Sequence, residues 1–198
     1  MTTSFTHNAH ELLTALDETR RYAEQRDHSL GLNTVWFEET TGGKLRLVAT
    51  DRFKVAVTLL GEGNPLESLD DTNDTARVSI ESCKGLVAWL KAIGGGKKSC
   101  STEVTVTLED SRVSIGTEGN SWSDPLWSDG GTDRPRLAVL FERVDPTTNR
   151  LCINATHVGG RKGTFIYPPA PGEGNPCLVT SNVTNLLGMV MPCRSLPR

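Results

Sequence analysis

A tight, charged connection between two apolar segments constrains the fold of this chain more than any other feature. In the stretch Leu47–Val57, LVATDRFKVAV, three apolar residues are followed by the polar Thr50–Arg52, and Val55–Val57 are apolar again. The polar residues are too few for a wandering loop. The pattern therefore predicts two buried neighbouring strands joined by a bend that displays its side chains on a surface.

A helix followed by strands occurs twice within residues 1–118. The first helix is predicted from an N-cap at Asn8 to Gln25, because apolar residues recur there at helical spacing. The second is predicted from Glu81 or Ser82 to Ile93, where a run of glycines ends it. Predicted strands are Leu30–Glu39, Lys44–Thr50, Phe53–Leu60, Ala76–Ile80, Glu103–Glu109 and Arg112–Glu118, with a loop at Gly61–Thr75.

The composition changes after this repeat. Residues 119–136 are rich in Gly, Ser, Asp and Pro and predict a linker or long loop. Beyond it, strands are predicted at Leu137–Val144, Leu151–Val158, Gly163–Pro169 and Cys177–Ser181, with no convincing helix. The predicted fold class is α+β: residues 1–118 form a domain of helices packed on antiparallel sheets, and residues 137–198 form a shortened, mostly-β second domain.

Composition and charge exclude several classes of protein. With 198 residues, 36% hydrophobic and 23% charged, the chain is typical of a soluble globular protein. It has no apolar run of membrane-spanning length and no signal-peptide pattern, so a cytoplasmic protein without a membrane partner is expected. Five widely spaced cysteines without a C-x-x-C pair argue against a disulfide framework or zinc site. A net charge of -3 argues against wholesale polyanion binding but allows a local basic face.

No segment carries a catalytic motif. Gly94–Ser99, GGGKKS, resembles the end of a phosphate-binding loop, but it follows a helix and Lys91 stands where that motif needs its first Gly. His157–Thr164, HVGGRKGT, could cradle a phosphate, although the pattern favours a basic hairpin turn. The four histidines are scattered and no Ser or Cys nucleophile has a recognisable setting. We therefore expect neither catalysis nor a cofactor.

Two short segments far apart in the sequence resemble one known family. LVATDRFKVAV resembles the Ala-Thr-Asp-Gly-x-Arg-Leu-Ala signature of the bacterial DNA polymerase III β sliding clamp, and Met189–Arg194, MVMPCR, resembles that family's C-terminal Met-Pro-x-Arg. In the family these segments meet in a hydrophobic pocket that captures short linear peptides of polymerases and other replication proteins. The resemblance implies a peptide pocket formed by Thr50, Arg52, Phe53, Lys54, Val55, Met189, Val190, Met191, Pro192, Cys193 and Arg194.

The chain departs from the family's pattern within both motifs. Arg52 stands where the family has its turn Gly, Lys54 where it has Arg, Val55 where it has Leu, and Cys193 where a second Met is usual. Arg52 would bring bulk and charge to the mouth of the pocket. The family's peptide preference is therefore not transferred to this chain.

The resemblance also implies a processivity-fold protein that slides on double-stranded DNA without sequence preference. The basic residues expected to face DNA, with a solvated helix surface as the alternative, are Arg20, Arg21, Lys84, Lys91, Lys97 and Lys98. One convincing domain and a shortened remainder indicate a compact phage- or plasmid-type relative, whose homo-oligomer would complete a ring. The alternative is a non-catalytic clamp relative, or a structural or regulatory interaction protein, that does not encircle DNA.

Overall fold

The computed structural model describes residues 2–24, 32–51, 53–109, 112–124, 136–137, 164–167, 177–181 and 184–190. Helix α1 spans Ala9–Thr19 and α2 spans Ile80–Leu90. The strands are β1 (Thr2–Asn8), β2 (Thr34–Thr40), β3 (Leu45–Thr50), β4 (Lys54–Leu59), β5 (Thr72–Ser79), β6 (Glu103–Glu109), β7 (Arg112–Thr117), β8 (Asn120–Ser123), β9 (Thr164–Tyr167), β10 (Cys177–Ser181) and β11 (Asn185–Val190).

Both helices begin at a side-chain cap. The Asn8 Oδ1 accepts the His10 N–H at 2.8 Å, and the Ser79 Oγ accepts the Ser82 N–H at 3.0 Å. Each cap satisfies one of the backbone donors that a helix start leaves unpaired. Within the described residues, neither helix is long and apolar enough to cross a membrane.

Helix α1 ends at Thr19, earlier than the predicted Gln25. Residues Arg20–Tyr22 tighten into a 3-10 turn, and Ala23 is extended, with φ -73° and ψ 157°. This change of path carries Tyr22 and Ala23 into the core, where both are buried. Burial of the Tyr22 ring therefore takes precedence over continued helical periodicity.

The buried faces of both helices pack against two antiparallel sheets. One sheet is four-stranded with the order β1-β6-β7-β8, and the other is seven-stranded with the order β5-β2-β3-β4-β11-β10-β9. The predicted α+β class, with helices packed on antiparallel sheets, is confirmed. Strands β4 and β11 are neighbours although they come from opposite parts of the chain.

The central strands β2, β3 and β4 of the seven-stranded sheet are buried on both faces. The inner face of this sheet joins both helices and the four-stranded sheet in one core, with Leu12, Leu47 and Leu86 fully buried. Its outer face carries a second group, here called the outer cluster, formed by Leu32, Trp36, Val48, Val55, Val57, Leu69, Leu137 and Met189. Every residue of β3 is accordingly buried, whereas exposed and buried residues alternate along most of β6.

Several strand boundaries differ from the sequence prediction. Strand β1 was not predicted because TTSFTHN contains a single large apolar residue, Phe5. Strand β2 begins at Thr34 instead of Leu30, and β5 begins at Thr72, within the predicted loop. The strand predicted at Leu151–Val158 lies outside the described residues, and so does the strand predicted at Leu137–Val144 beyond its first residue.

The domain boundaries stay a prediction. Strands β9, β10 and β11, from the part of the chain assigned to a second domain, extend the same sheet as β2–β5. The segment predicted as a linker, residues 119–136, begins with strand β8, which pairs with β7. Residues 125–135 of that segment lie outside the described residues.

Close packing of the two helix ends leads to a test of Gly95. A Cβ atom at Gly95 would lie 2.8 Å from the Leu90 carbonyl oxygen and 2.9 Å from that of Ala9. Gly95→Ala should therefore lower the free energy of unfolding by about 1–3 kcal/mol, measured by urea denaturation. Gly96→Ala is the matched control, because its Cβ would meet only Lys91 Cγ at 3.8 Å. Equal stability of the two variants would contradict this account.

Candidate functional site

The bend between β3 and β4 is held by hydrogen bonds from Thr50 and Asp51, and the Asp51 carboxylate makes two of them. The Asp51 Oδ1 accepts the N–H groups of Phe53 at 3.0 Å and Lys54 at 2.9 Å. The Thr50 hydroxyl donates to the Lys54 carbonyl oxygen at 2.8 Å, and the Asp51 N–H donates to the same oxygen at 3.2 Å. These bonds fix the path of the bend and leave Phe53 projecting, with 63% of its surface exposed.

Strand β11 lies directly beside β4. Met189 pairs with Val55, Val190 with Lys54 and Gly188 with Ala56. The structure thus brings together the described parts of the two segments that the sequence singled out. Arg52 and the remaining predicted pocket residues, Met191, Pro192, Cys193 and Arg194, lie outside the described residues, and the pocket itself stays a prediction.

The paired residues divide between the two faces of the sheet. Val55 and Met189 belong to the outer cluster. Val190 belongs to the inner core, and Lys54 shares its face because successive side chains on a strand alternate. We call the outer face of the sheet at Phe53, Val55 and Met189 the outer surface; Val55 and Met189 are almost fully buried there, and Phe53 is exposed. Lys54 and Val190 face the helices.

A buried arginine, which the sequence analysis missed, shapes the edge of the outer cluster. Arg46 pairs with Glu38 across β2 and β3, with its Nε 3.1 Å from Glu38 Oε2, and both side chains are 0% exposed. Its guanidinium also donates to the carbonyl oxygens of Glu67 at 2.9 Å and Leu69 at 3.0 Å. Arg46 thereby holds the β4–β5 loop where Leu69 packs on the outer cluster. The signal in the sequence was the charged residue between two leucines.

A second set of contacts fastens the β10–β11 turn to α1. The buried Glu18 carboxylate accepts hydrogen bonds from the Ser181 hydroxyl at 3.3 Å and from the Thr184 hydroxyl. Nearby, burial first and the Glu18 charge second raise the pKa of Tyr22 well above its usual range. Helix α1 therefore fixes the position of β11, which carries Met189.

The basic residues predicted to face DNA differ in their surroundings. Arg20 and Arg21 both pair with Asp17, with shortest distances of 2.5 Å and 3.1 Å. Lys84 pairs with Glu81 at 2.7 Å. Lys91, Lys97 and Lys98 are exposed at the end of α2 and in the turn that follows it.

Solved structures resemble this arrangement of helices and sheets. The DNA polymerase III beta subunit of Thermotoga maritima has a TM-score of 0.67 at 15% identity, and the match covers 98% of this chain and 66% of the Thermotoga chain. A DNA polymerase sliding clamp from Pseudomonas aeruginosa, solved with a ligand, matches 98% of this chain and 66% of its own, with a TM-score of 0.66 at 18% identity. This chain has the sliding-clamp fold. The resemblance predicted from the two short motifs is confirmed.

The sliding-clamp fold is shared at low sequence identity. A putative DNA polymerase III beta subunit from Eubacterium rectale has a TM-score of 0.68 at 12% identity, over 97% of this chain and 66% of its own. No protein-family model and no curated protein sequence matches the chain. The chain covers 66% of each of these three clamp chains, and so spans just under two thirds of their length.

Proposed function

We propose that the protein is a non-catalytic, sliding-clamp-like processivity factor that holds replication proteins on DNA through short linear peptides. The observation that carries the proposal is the pairing of Val55 with Met189 within a sliding-clamp fold. The pairing places Val55 of one motif segment beside Met189 of the other on the outer face of the sheet. The protein would act by tethering, which raises the concentration of a partner at its site of action.

The chemistry of the outer surface suits an apolar peptide anchor. Val55 and Met189 supply buried apolar walls, and the flexible thioether of methionine adapts to varied ligands. Phe53, two residues before Val55, adds an exposed aromatic ring. We propose that Met191, Pro192, Cys193 and Arg194 continue this surface and that Arg52 adjusts which peptides fit it.

Phe53 offers the cleanest test of peptide binding. Because its ring is 63% exposed, Phe53→Ala should leave stability unchanged. The same change should weaken the binding of a labelled clamp-binding peptide by about 1–3 kcal/mol, roughly 5- to 150-fold in affinity, as measured by fluorescence polarisation. Thr105→Ala, an exposed change on the four-stranded sheet, is the control. Failure of the unmodified protein to bind any such peptide would overturn the proposal.

Binding to DNA is proposed to use the exposed lysines at the end of α2 and in its following turn. Lys91→Glu should reduce the salt dependence of association with circular double-stranded DNA. The reason is that each lost phosphate contact lowers, by about 0.9, the steepness with which the logarithm of the association constant falls against the logarithm of the salt concentration. Arg112→Glu, on the four-stranded sheet, is the charge-matched control. Equal slopes for both variants would show that this helix surface does not face DNA.

The charge pattern favours a second candidate function. Arg20 and Arg21 pair with Asp17, and Lys84 pairs with Glu81, so much of the predicted basic face is neutralised locally. A clamp relative that binds partner peptides without encircling DNA would have such a surface. Light scattering after size exclusion separates the two: a defined oligomer supports a ring, and a monomer that binds peptide but not DNA supports the relative.

A further inference from the structure

Lys54 lies beneath the bend, on the helix face of β4. Its ammonium donates a hydrogen bond to the Arg21 carbonyl oxygen and lies 3.4 Å from Asp51 Oδ2. The same group is 5.8 Å from the centre of the Tyr22 ring. Only 10% of the Lys54 side chain is exposed, so its charge is directed into the protein.

The Asp51 carboxylate joins this buried cation to the bend. Its Oδ2 faces Lys54, while its Oδ1 accepts the N–H groups of Phe53 and Lys54. A carboxylate held by a cation keeps its orientation, and hydrogen bonds to an ionised carboxylate are stronger than those between neutral groups. Lys54 therefore fixes the group that fixes the bend.

The Tyr22 ring connects the same cluster to β11. A Cβ atom at Gly188 would lie 3.1 Å from Tyr22 Cε1 and 3.3 Å from Cζ. The ring thus packs directly against the backbone of β11, next to Met189. Lys54 and Tyr22 support both strands from the face opposite the outer cluster.

We propose that Lys54 is a positioning residue for the peptide surface and makes no contact with the peptide. This inference rests on the proposed function. It assigns Lys54 a role different from that of a pocket wall. The side chain sets the projection of Phe53 by holding Asp51 and the 3-10 turn that follows α1. Recognition of a peptide carboxylate by Lys54 is the opposing interpretation.

The test measures peptide affinity in fluorescence polarisation with two versions of one clamp-binding peptide, acidic and with its carboxylates replaced by amides. Lys54→Met should weaken both versions by the same factor, roughly tenfold. Lys54→Arg keeps a cation near Asp51 and should bind better than Lys54→Met. Asp51→Asn and Lys54→Met should be non-additive, because they remove one shared contact. Loss confined to the acidic peptide would overturn the inference.

Amide hydrogen exchange of the free protein supplies a second measurement that needs no peptide. Lys54→Met should speed exchange of the amides at positions 53 and 54 roughly tenfold, since Asp51 is no longer held. Unchanged exchange would overturn the positioning role. Absence of peptide binding by the unmodified protein, with faster exchange in the variant, would instead refute the proposed function alone.

Discussion

Replacing Arg46 by methionine should lower the free energy of unfolding by about 3–5 kcal/mol, the usual cost of breaking a buried ion pair from one side. The change takes the Arg46 cation away from the buried Glu38 carboxylate and removes the donor to the carbonyl oxygens of Glu67 and Leu69. Urea denaturation followed by tryptophan fluorescence measures the loss, because Trp36 lies in the outer cluster.

An exposed ion pair provides the matched control. Lys84→Met breaks the Lys84–Glu81 contact, in which both side chains are largely exposed, and should cost about 0–1 kcal/mol. The double variant Glu38→Leu, Arg46→Met should recover part of the loss, because both members of the buried ion pair are then replaced by apolar side chains. A loss below about 1 kcal/mol in Arg46→Met would contradict a structural role for the pair.

Ending the chain after Val190 should abolish binding of a clamp peptide while the protein stays folded. The reason is that Met191, Pro192, Cys193 and Arg194 are proposed to form the remaining wall of the surface. Val190 is the right end point because Met189 and Val190 are both buried, and a shorter chain would also lose core packing. Fluorescence polarisation measures affinity, and urea denaturation checks the fold.

Two further variants make the truncation interpretable. Ending the chain after Arg194 should leave affinity unchanged, since the proposed wall is complete. Met191→Ala in the full chain should weaken binding by about 1–3 kcal/mol. Full affinity in the protein that ends at Val190 would exclude residues 191–198 from the site.

Local sequence patterns predicted the elements that have a clear apolar run or a capping residue of their own. The apolar runs around Thr50 predicted β3, the bend and β4, and the N-cap at Asn8 predicted the start of α1. Strand β1 was missed because its stability comes from pairing with β6 and not from its own apolar content. The early end of α1 depends on burial of Tyr22, which local periodicity does not encode.

The candidate site was only partly predictable for a similar reason. Two motifs indicated that the β4 and β11 segments belong together, but the face on which each side chain lies depends on the register of their pairing. That register puts Lys54 opposite Val190 and Val55 opposite Met189. Arg46 was overlooked because a charged residue between two leucines indicates a buried ion pair only once its partner, Glu38, is identified.

The placement of β11 between β4 and β10 has a consequence for biogenesis. Val55 and Met189 come from opposite parts of the chain, so their contact requires closure of a long loop, which is slow compared with forming the β3–β4 hairpin. During synthesis, the first helix and the hairpin emerge well before β11 does. The outer surface would therefore be assembled last, and in a nascent or incompletely folded chain the proposed peptide site would be incomplete.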